Sequence, residues 1–357
     1  MRLLAASAVV LVTLALAPSG RAQDAATVDA PVAEHNAVVE FPGLEAARAA
    51  MIDEEIEPYI SMLQTSEMSA KTGSPITGVD HEHDTLAKQR TECRKRYAAG
   101  TLQFSAEEQA GLTWLANAVT TRFFGEYPYL AEVPWSFIKV KPTIEGGLPH
   151  TRGAHIVLTA GVAGRISAMR ERDEILPVQR MGRLLIHEQL HVAERRHPHV
   201  FEKLYTEEWG FERVPELPTC AWLERNQVVN PDGIDIRWVR PFRRGDETVY
   251  VHPRVIFADG DHEKQMPRDF RLIGIFLTKT KSGFALQLDD AGVPKHASLG
   301  EIAEYRALFP GLSNIYHPNE ALASLFPRMV FADASGAPNA RDEALRTWCR
   351  AHFSKSE

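Results

Sequence analysis

His187, Glu188 and His191 stand in the order His-Glu-Gln-Leu-His. On an α-helix, residues four apart stack on one face. His187 and His191 therefore present their imidazoles in one direction, close enough to share a cation. Glu188 is turned by about 100° from His187 and reaches a water on that cation without being a ligand. Two imidazoles plus a carboxylate, with one position left to water, suit zinc. The metal acidifies the water and Glu188 takes its proton. The flanks favour a helix. Leu184, Leu185, Ile186, Leu190 and Val192 are apolar, and neither Gly nor Pro interrupts the run from Arg183 to His197. The plain alternative is an amphipathic helix whose polar face spells the pattern by chance. Burying such a face without partners costs desolvation energy.

A catalytic zinc takes a third protein ligand. His197 lies six residues beyond His191, but Glu194 stands where a glycine would let the helix turn back. Pro198 follows, so His197 reads more simply as a helix-end residue interacting with the dipole. Glu207, Glu208 and Glu212 follow without a supporting pattern. The run Glu320-Ala-Leu-Ala323-Ser324-Leu-Phe326 has one. Together with the His-Glu-x-x-His helix, it resembles the gluzincin class of zinc metallopeptidases, in which a glutamate opens a helix of form Glu-x-x-Ala-Asp/Glu-x-Phe.

The resemblance covers the motif helix, the strand before it and the Glu320 helix, roughly a fifth of the chain. It implies Glu320 as third ligand, so that His187, His191 and Glu320 hold one zinc per chain, and it implies hydrolysis of peptide bonds. Small Ala323 lets the two helices approach. Ser324 stands where the class commonly has an acidic residue that supports a zinc histidine. The long interval between His191 and Glu320 is explained by an inserted sheet. The class also implies a donor to the oxyanion that forms as water attacks. Tyr316 is the candidate and His317 the lesser one. It further implies that the strand Ala154 to Thr159 lies at a sheet edge and pairs with an extended substrate. His150 lies on the approach to that strand. The bland readings are a carboxylate favouring a helix start for Glu320 and a core tyrosine for Tyr316.

The rest of the chain must position these groups. Residues 1–22 read as a secretory signal. Arg2 is followed by an apolar run from Leu3 to Pro18, and Gly20-Arg21-Ala22 suits cleavage near Ala22. The expected protein is exported, periplasmic or secreted, with no membrane span in the mature chain. The composition, 44% hydrophobic and 24% charged, is that of a globular protein. A net charge of −7 with no basic stripe argues against a nucleic-acid partner. Cys93, Cys220 and Cys349 form no Cys-x-x-Cys pair, which disfavours a cysteine zinc site. Either two of them pair or all three are free.

Residues 23–41 read as a disordered start and 42–130 as a helical N-terminal part. Pro42 to Met68 is helical in pattern with a break at Pro58. His81-Glu-His-Asp84 reads as a solvated loop, with metal binding as its alternative. Thr85 to Ala99 is a helix, and Ser105-Ala-Glu-Glu opens another with a capping box. Ser136 to Lys141 alternates like a half-buried strand. The motif helix should end near His197, with Pro198 opening the next helix and Gly210 ending it. From 214 to about 297, strand-like runs between turns, among them Thr248 to Val251 and Arg254 to Phe257 on either side of Pro253, predict an inserted antiparallel sheet. Helices follow over 298–308, 318–326 (stopped by Pro327) and 342–353.

The resulting expectation is an α+β protein. A zincin-like metallopeptidase domain over 131–357 carries N-terminal helices and the inserted sheet. It acts on a peptide or protein substrate in an unspecified oligomeric state. Two other readings stay open: a non-catalytic, zinc-stabilised binding or scaffold protein, and a metal-dependent hydrolase of another substrate.

Overall fold

One half of the fold is built on the strand Trp135–Val140. The computed structural model describes residues 36–55, 57–76, 85–124, 126–172, 175–233, 235–258, 263–331 and 340–354. In it this strand runs parallel to Val39–Glu40 and to His155–Thr159, and antiparallel to Thr101–Leu102. Its side chains are almost all buried, not half-buried as the alternation predicts. Alternation sends successive side chains to opposite faces, and here each face meets its own helices. Trp135 and Phe137 enter a core with Ala106–Phe124, Ala160–Glu171 and the motif helix Ile175–Arg196. Ile138 and Val140 enter a second core with Leu44–Ile52, Thr65–Thr72 and Thr85–Gly100.

His155–Thr159 is not the edge of this sheet, contrary to expectation. It lies between Trp135–Val140 and the antiparallel strand His150–Arg152, which is the edge. The reversal is made by Gly153 and Ala154, between the paired Arg152 and His155, with Gly153 at φ 54°. A two-residue hairpin loop needs that left-handed conformation, which glycine adopts without strain.

The signal reading over 1–22 and the His81–Asp84 cluster lie outside the described residues. So does most of 23–41, but its last part supplies the strand Val39–Glu40 in place of disorder. The helix expected over Pro42 to Met68 is divided into Leu44–Ile52, a single turn Ile60–Met62 and Thr65–Thr72. Glu54 Oε1 accepts from the Tyr59 and Ser61 amides at 2.9 and 2.6 Å, which satisfies donors the break leaves open. The capping box at Ser105 forms. Ser105 N donates to Glu108 Oε2 at 2.7 Å, and Glu108 N donates back to Ser105 Oγ at 3.2 Å.

The predicted antiparallel sheet is present between 212 and 298. Its order is Gly283–Leu286, Phe270–Thr280, Glu247–Phe257, Trp238–Arg244, Glu212–Arg213, with His296–Ser298 also on Phe270–Thr280. Pro253 does not divide Glu247–Phe257, although the sequence suggests two strands there. Pairing with Trp238–Arg244 stops at Val251, so Pro253 falls where that side of the strand is free of it.

The motif helix ends at Arg196. Pro198 then begins Pro198–Lys203, and Gly210 at φ 65° follows the turn Leu204–Glu208. The helix Pro318–Phe331 runs through Pro327 instead of stopping there, with Phe326, Met329 and Phe331 buried along it. Ala340–Phe353 is the last helix. All three cysteines are free, Cys93 and Cys349 buried in different cores. Among the described residues no helix is long and apolar enough to cross a membrane.

Candidate metal centre

The motif helix has two faces. Leu185, Ile186, Leu190, Val192 and Ala193 pack into the larger core, so the polar positions between them turn the other way. There they meet the helix Pro318–Phe331, which packs along the motif helix. The close approach rests on small residues. A Cβ on Gly182 would lie 3.0 Å from Phe331 and 3.2 Å from Val119. Ala321 and Ala323 are fully buried in the same layer.

This packing brings His187, His191 and Glu320 together, with one ligand atom from each within 4.8 Å of the others. His187 Nε2 is 3.4 Å from Glu320 Oε2, and His191 Nε2 is 3.8 Å from Glu320 Oε1. Two donors on a tetrahedral zinc lie about 3.3 Å apart, given zinc–ligand bonds of about 2.0–2.1 Å. The cluster is thus near the size of a zinc set. His191 Nε2 and Glu188 Oε2 are buried and have no hydrogen-bond partner. Buried polar atoms are nearly always partnered, and a cation with its water would satisfy both. The donor set is not specific to zinc, since imidazole and carboxylate also suit other divalent ions.

Glu320 is held from several sides. Asn230 Nδ2 donates to Oε1 at 2.5 Å, the Tyr316 hydroxyl donates to the same oxygen at 3.2 Å, and Asn314 Nδ2 donates to Oε2. Burial opposes its charge, but His191, His187 and the Asn230 amide hold the carboxyl well below the usual range. His187 feels the reverse balance. Burial disfavours its cation, yet the Glu320 hydrogen bond and nearby Glu188 lift it to about 9. Burial pushes His191 well below its ordinary value. Burial and then Asp232 push Glu188 well above its own, the direction that suits a proton acceptor working near neutral pH.

Asn319 Nδ2 lies 3.3 Å from His191 Nδ1 and donates to the Asp232 carbonyl at 2.9 Å, while its Oδ1 has no partner. The polar neighbour of this histidine is therefore the residue before Glu320. A Cβ on Gly233 would lie 2.4 Å from Asn319 Nδ2, so a side chain there would displace this amide. Asp232 Oδ1 accepts from both Thr151 N and Thr151 Oγ1, which occupies the edge strand His150–Arg152. Arg195 ties the surroundings together. It donates to Glu57 at 2.7 Å, to Thr151 Oγ1 at 2.6 Å and to the Pro231 carbonyl at 2.5 Å.

His187, Glu188, His191, Tyr316 and Glu320, all singled out from sequence, meet here. The other candidates do not join the cluster. His197 caps the next helix and its ring lies 4.3 Å from that of Tyr129. His317 uses Nε2 on the Asp235 carbonyl at 2.7 Å and Nδ1 on the Asn319 amide. His150 is buried and its Nδ1 is 3.0 Å from the Leu148 carbonyl. Sequence reasoning missed Asn230, Asp232, Asn314, Asn319 and Arg195. Asn230-Pro-Asp-Gly233 carries a turn signal, but nothing in it points to Glu320.

Comparison with known proteins yields no match: no family model, no curated protein and no solved structure is significantly similar to the chain.

Proposed function

We propose that the chain is an exported, zinc-dependent metallopeptidase of gluzincin type with a zincin-like catalytic domain. The observation that carries this is the convergence of His187, His191 and Glu320 beside a buried Glu188 oxygen without a partner. The resemblance of the two helices to gluzincin motifs supports the same reading, and the signal-like residues 1–22 support export. One zinc held by His187, His191 and Glu320 would supply Lewis acidity to a bound water and to the substrate carbonyl. Glu188 takes the water's proton and passes it to the leaving amine. The Tyr316 hydroxyl, released from Glu320, donates to the oxyanion.

The first test is the metal content of the purified protein beside Glu320→Ala. About one zinc per chain in the parent and weakened retention in the folded variant are expected. Equal retention would move the third ligand elsewhere, and a folded parent that takes up no zinc would end this reading. For the tyrosine, Tyr316→Phe should lower turnover while zinc is retained. Loss of zinc with unchanged turnover per bound zinc would assign the phenol to Glu320 alone.

A second reading, a zinc-stabilised binding protein without turnover, is favoured by one observation. Glu188, His191 and Glu320 are at most 3% exposed, and Asp232 occupies the sheet edge that an extended peptide would use. Absence of peptide hydrolysis by the zinc-loaded parent across a peptide library would favour that reading.

A further inference from the structure

A second set of charged groups lies on the other face of the first sheet and takes no part in the proposed chemistry. Lys71 and Glu67 are completely buried, and Glu145 nearly so. Lys71 Nζ donates to Glu145 Oε2 at 2.8 Å, to the Tyr59 hydroxyl at 2.6 Å and to the Val229 carbonyl at 3.0 Å. Glu67 Oε1 accepts from Val229 N at 2.6 Å. Glu145 Oε1 accepts from the Tyr59 and Tyr97 hydroxyls. Glu145 is also the only non-glycine described residue with positive φ, at 50°. That conformation is strained for a side chain bearing a Cβ. A buried ion set of this kind contributes little stability beyond what well-packed apolar residues would give, so it invites a reason other than stability.

The reason lies one residue along the chain. Val229 is gripped at both its N–H and its carbonyl, and the next residue, Asn230, donates to Glu320 Oε1. The same strap is then held by Arg195 at the Pro231 carbonyl and by Thr151 at the Asp232 carboxylate. We infer that Lys71 and Glu67 are positioning residues for the metal centre, acting through the Val229–Asp232 strap to aim Asn230 at Glu320. The helix Thr65–Thr72, which carries both residues, is on this account a working part of the site. The inference rests on the metal-site reading for its functional meaning, but the grip on the strap can be measured without metal.

The experiment uses the full-length protein and six variants: Glu67→Leu, Lys71→Met, Glu67→Gln, Asn230→Ala, the double variant Glu67→Leu/Asn230→Ala and, as a destabilising control in the same core, Cys93→Ala. Zinc affinity is measured by competition with a chromophoric chelator, and amide exchange over 229–232 is followed by mass spectrometry in apo-protein. Thermal midpoints are recorded throughout. Glu67→Leu and Lys71→Met should weaken zinc roughly tenfold and speed exchange over the strap. Glu67→Gln keeps an acceptor for Val229 N and should retain both properties. Cys93→Ala packs in the same core as Val229 but removes none of the hydrogen bonds that Lys71 and Glu67 make to the strap, and should lower the midpoint without moving zinc affinity. A Glu67→Leu/Asn230→Ala double variant should bind zinc no more weakly than Asn230→Ala alone, because both act through one contact.

Unchanged zinc affinity in Glu67→Leu and Lys71→Met overturns the inference, and so does an equal loss in Cys93→Ala. Additive losses in the double variant also overturn it. If Lys71→Met does not fold, the Glu67 pair decides. A parent that binds no zinc ends the peptidase reading. Exchange over 229–232 then still decides whether the network holds the strap.

Discussion

At the scale of single residues, the site separates groups that can bind a cation from one that can move a proton. Glu320 accepts three hydrogen bonds and is held ionised, whereas Glu188 has an oxygen without a partner and an environment that raises its affinity for protons. Two carboxylates with environments that push them apart suit different roles. Replacing Glu188 by Gln preserves shape and leaves all three ligand atoms in place. Turnover should then fall by about 10²–10⁴-fold, the usual contribution of a general base, with zinc stoichiometry unchanged. The check is kcat for a peptide substrate on protein whose zinc content is measured in the same preparation. Full turnover in a zinc-loaded Glu188→Gln protein would remove Glu188 from the chemistry.

At the scale of elements, helices cross where side chains are missing. Gly111 of Ala106–Phe124 lies against Ala160–Glu171, and a Cβ there would sit 2.8 Å from the Ser167 Cα. Alanine is the better helix former by up to ~1 kcal/mol, but overpacking against backbone costs ~1–3 kcal/mol. Gly111→Ala should therefore lower the thermal midpoint, and a rise would show that the two helices separate freely. The helix Thr65–Thr72 gives a prediction in pH. Burial raises Glu67 to about 7 against the pull of Lys71, with Glu145 and Arg254 also facing it. A carboxyl with a raised folded pKa stabilises the fold below its ordinary value of 4.5, and that contribution disappears as pH climbs to about 7. Glu67→Gln should remove up to ~3 kcal/mol of this decline, seen as a flatter midpoint between about pH 4.5 and 7. An unchanged slope would show that Glu67 does not carry it. Periodicity made part of this architecture legible in the sequence. Spacing of four forces His187 and His191 onto one face, and the Glu320 helix carries its own pattern. The sheet edge was not legible, because it depends on Gly153 folding 150–152 back on 155–159. Asn230, Asn314 and Arg195 were hidden for a similar reason: each reaches the centre from a segment whose local pattern says nothing of its distant neighbour. Pro253 and Pro327 misled: Pro253 falls beyond the pairing with Trp238–Arg244, and the buried Phe326, Met329 and Phe331 carry Pro318–Phe331 through Pro327.

At the scale of the molecule, the centre is a junction. Its groups come from the motif helix, the helix Pro318–Phe331, the strap between the two sheets and the segment before Pro318. The strap is tied in turn to the N-terminal helices and to the edge of the first sheet. A cation held by His187, His191 and Glu320 would thus cross-link segments distant in sequence that separate on unfolding. Binding to the folded state alone stabilises it by about 2.7 kcal/mol when free metal is a hundred times its dissociation constant. In a protein of this size that is a rise of a few degrees in the thermal midpoint. Chelation should therefore lower the midpoint by that amount, and added zinc should restore it. Magnesium should not, because it prefers oxygen ligands in octahedral geometry. The same titration on Glu320→Ala should show most of the shift gone, since one of the two cross-linked helices has lost its ligand. A midpoint indifferent to chelator in a parent shown to contain zinc would mean that the metal sits outside this junction. A shift that survives in Glu320→Ala would leave the two histidines as its seat and place the third ligand on another segment.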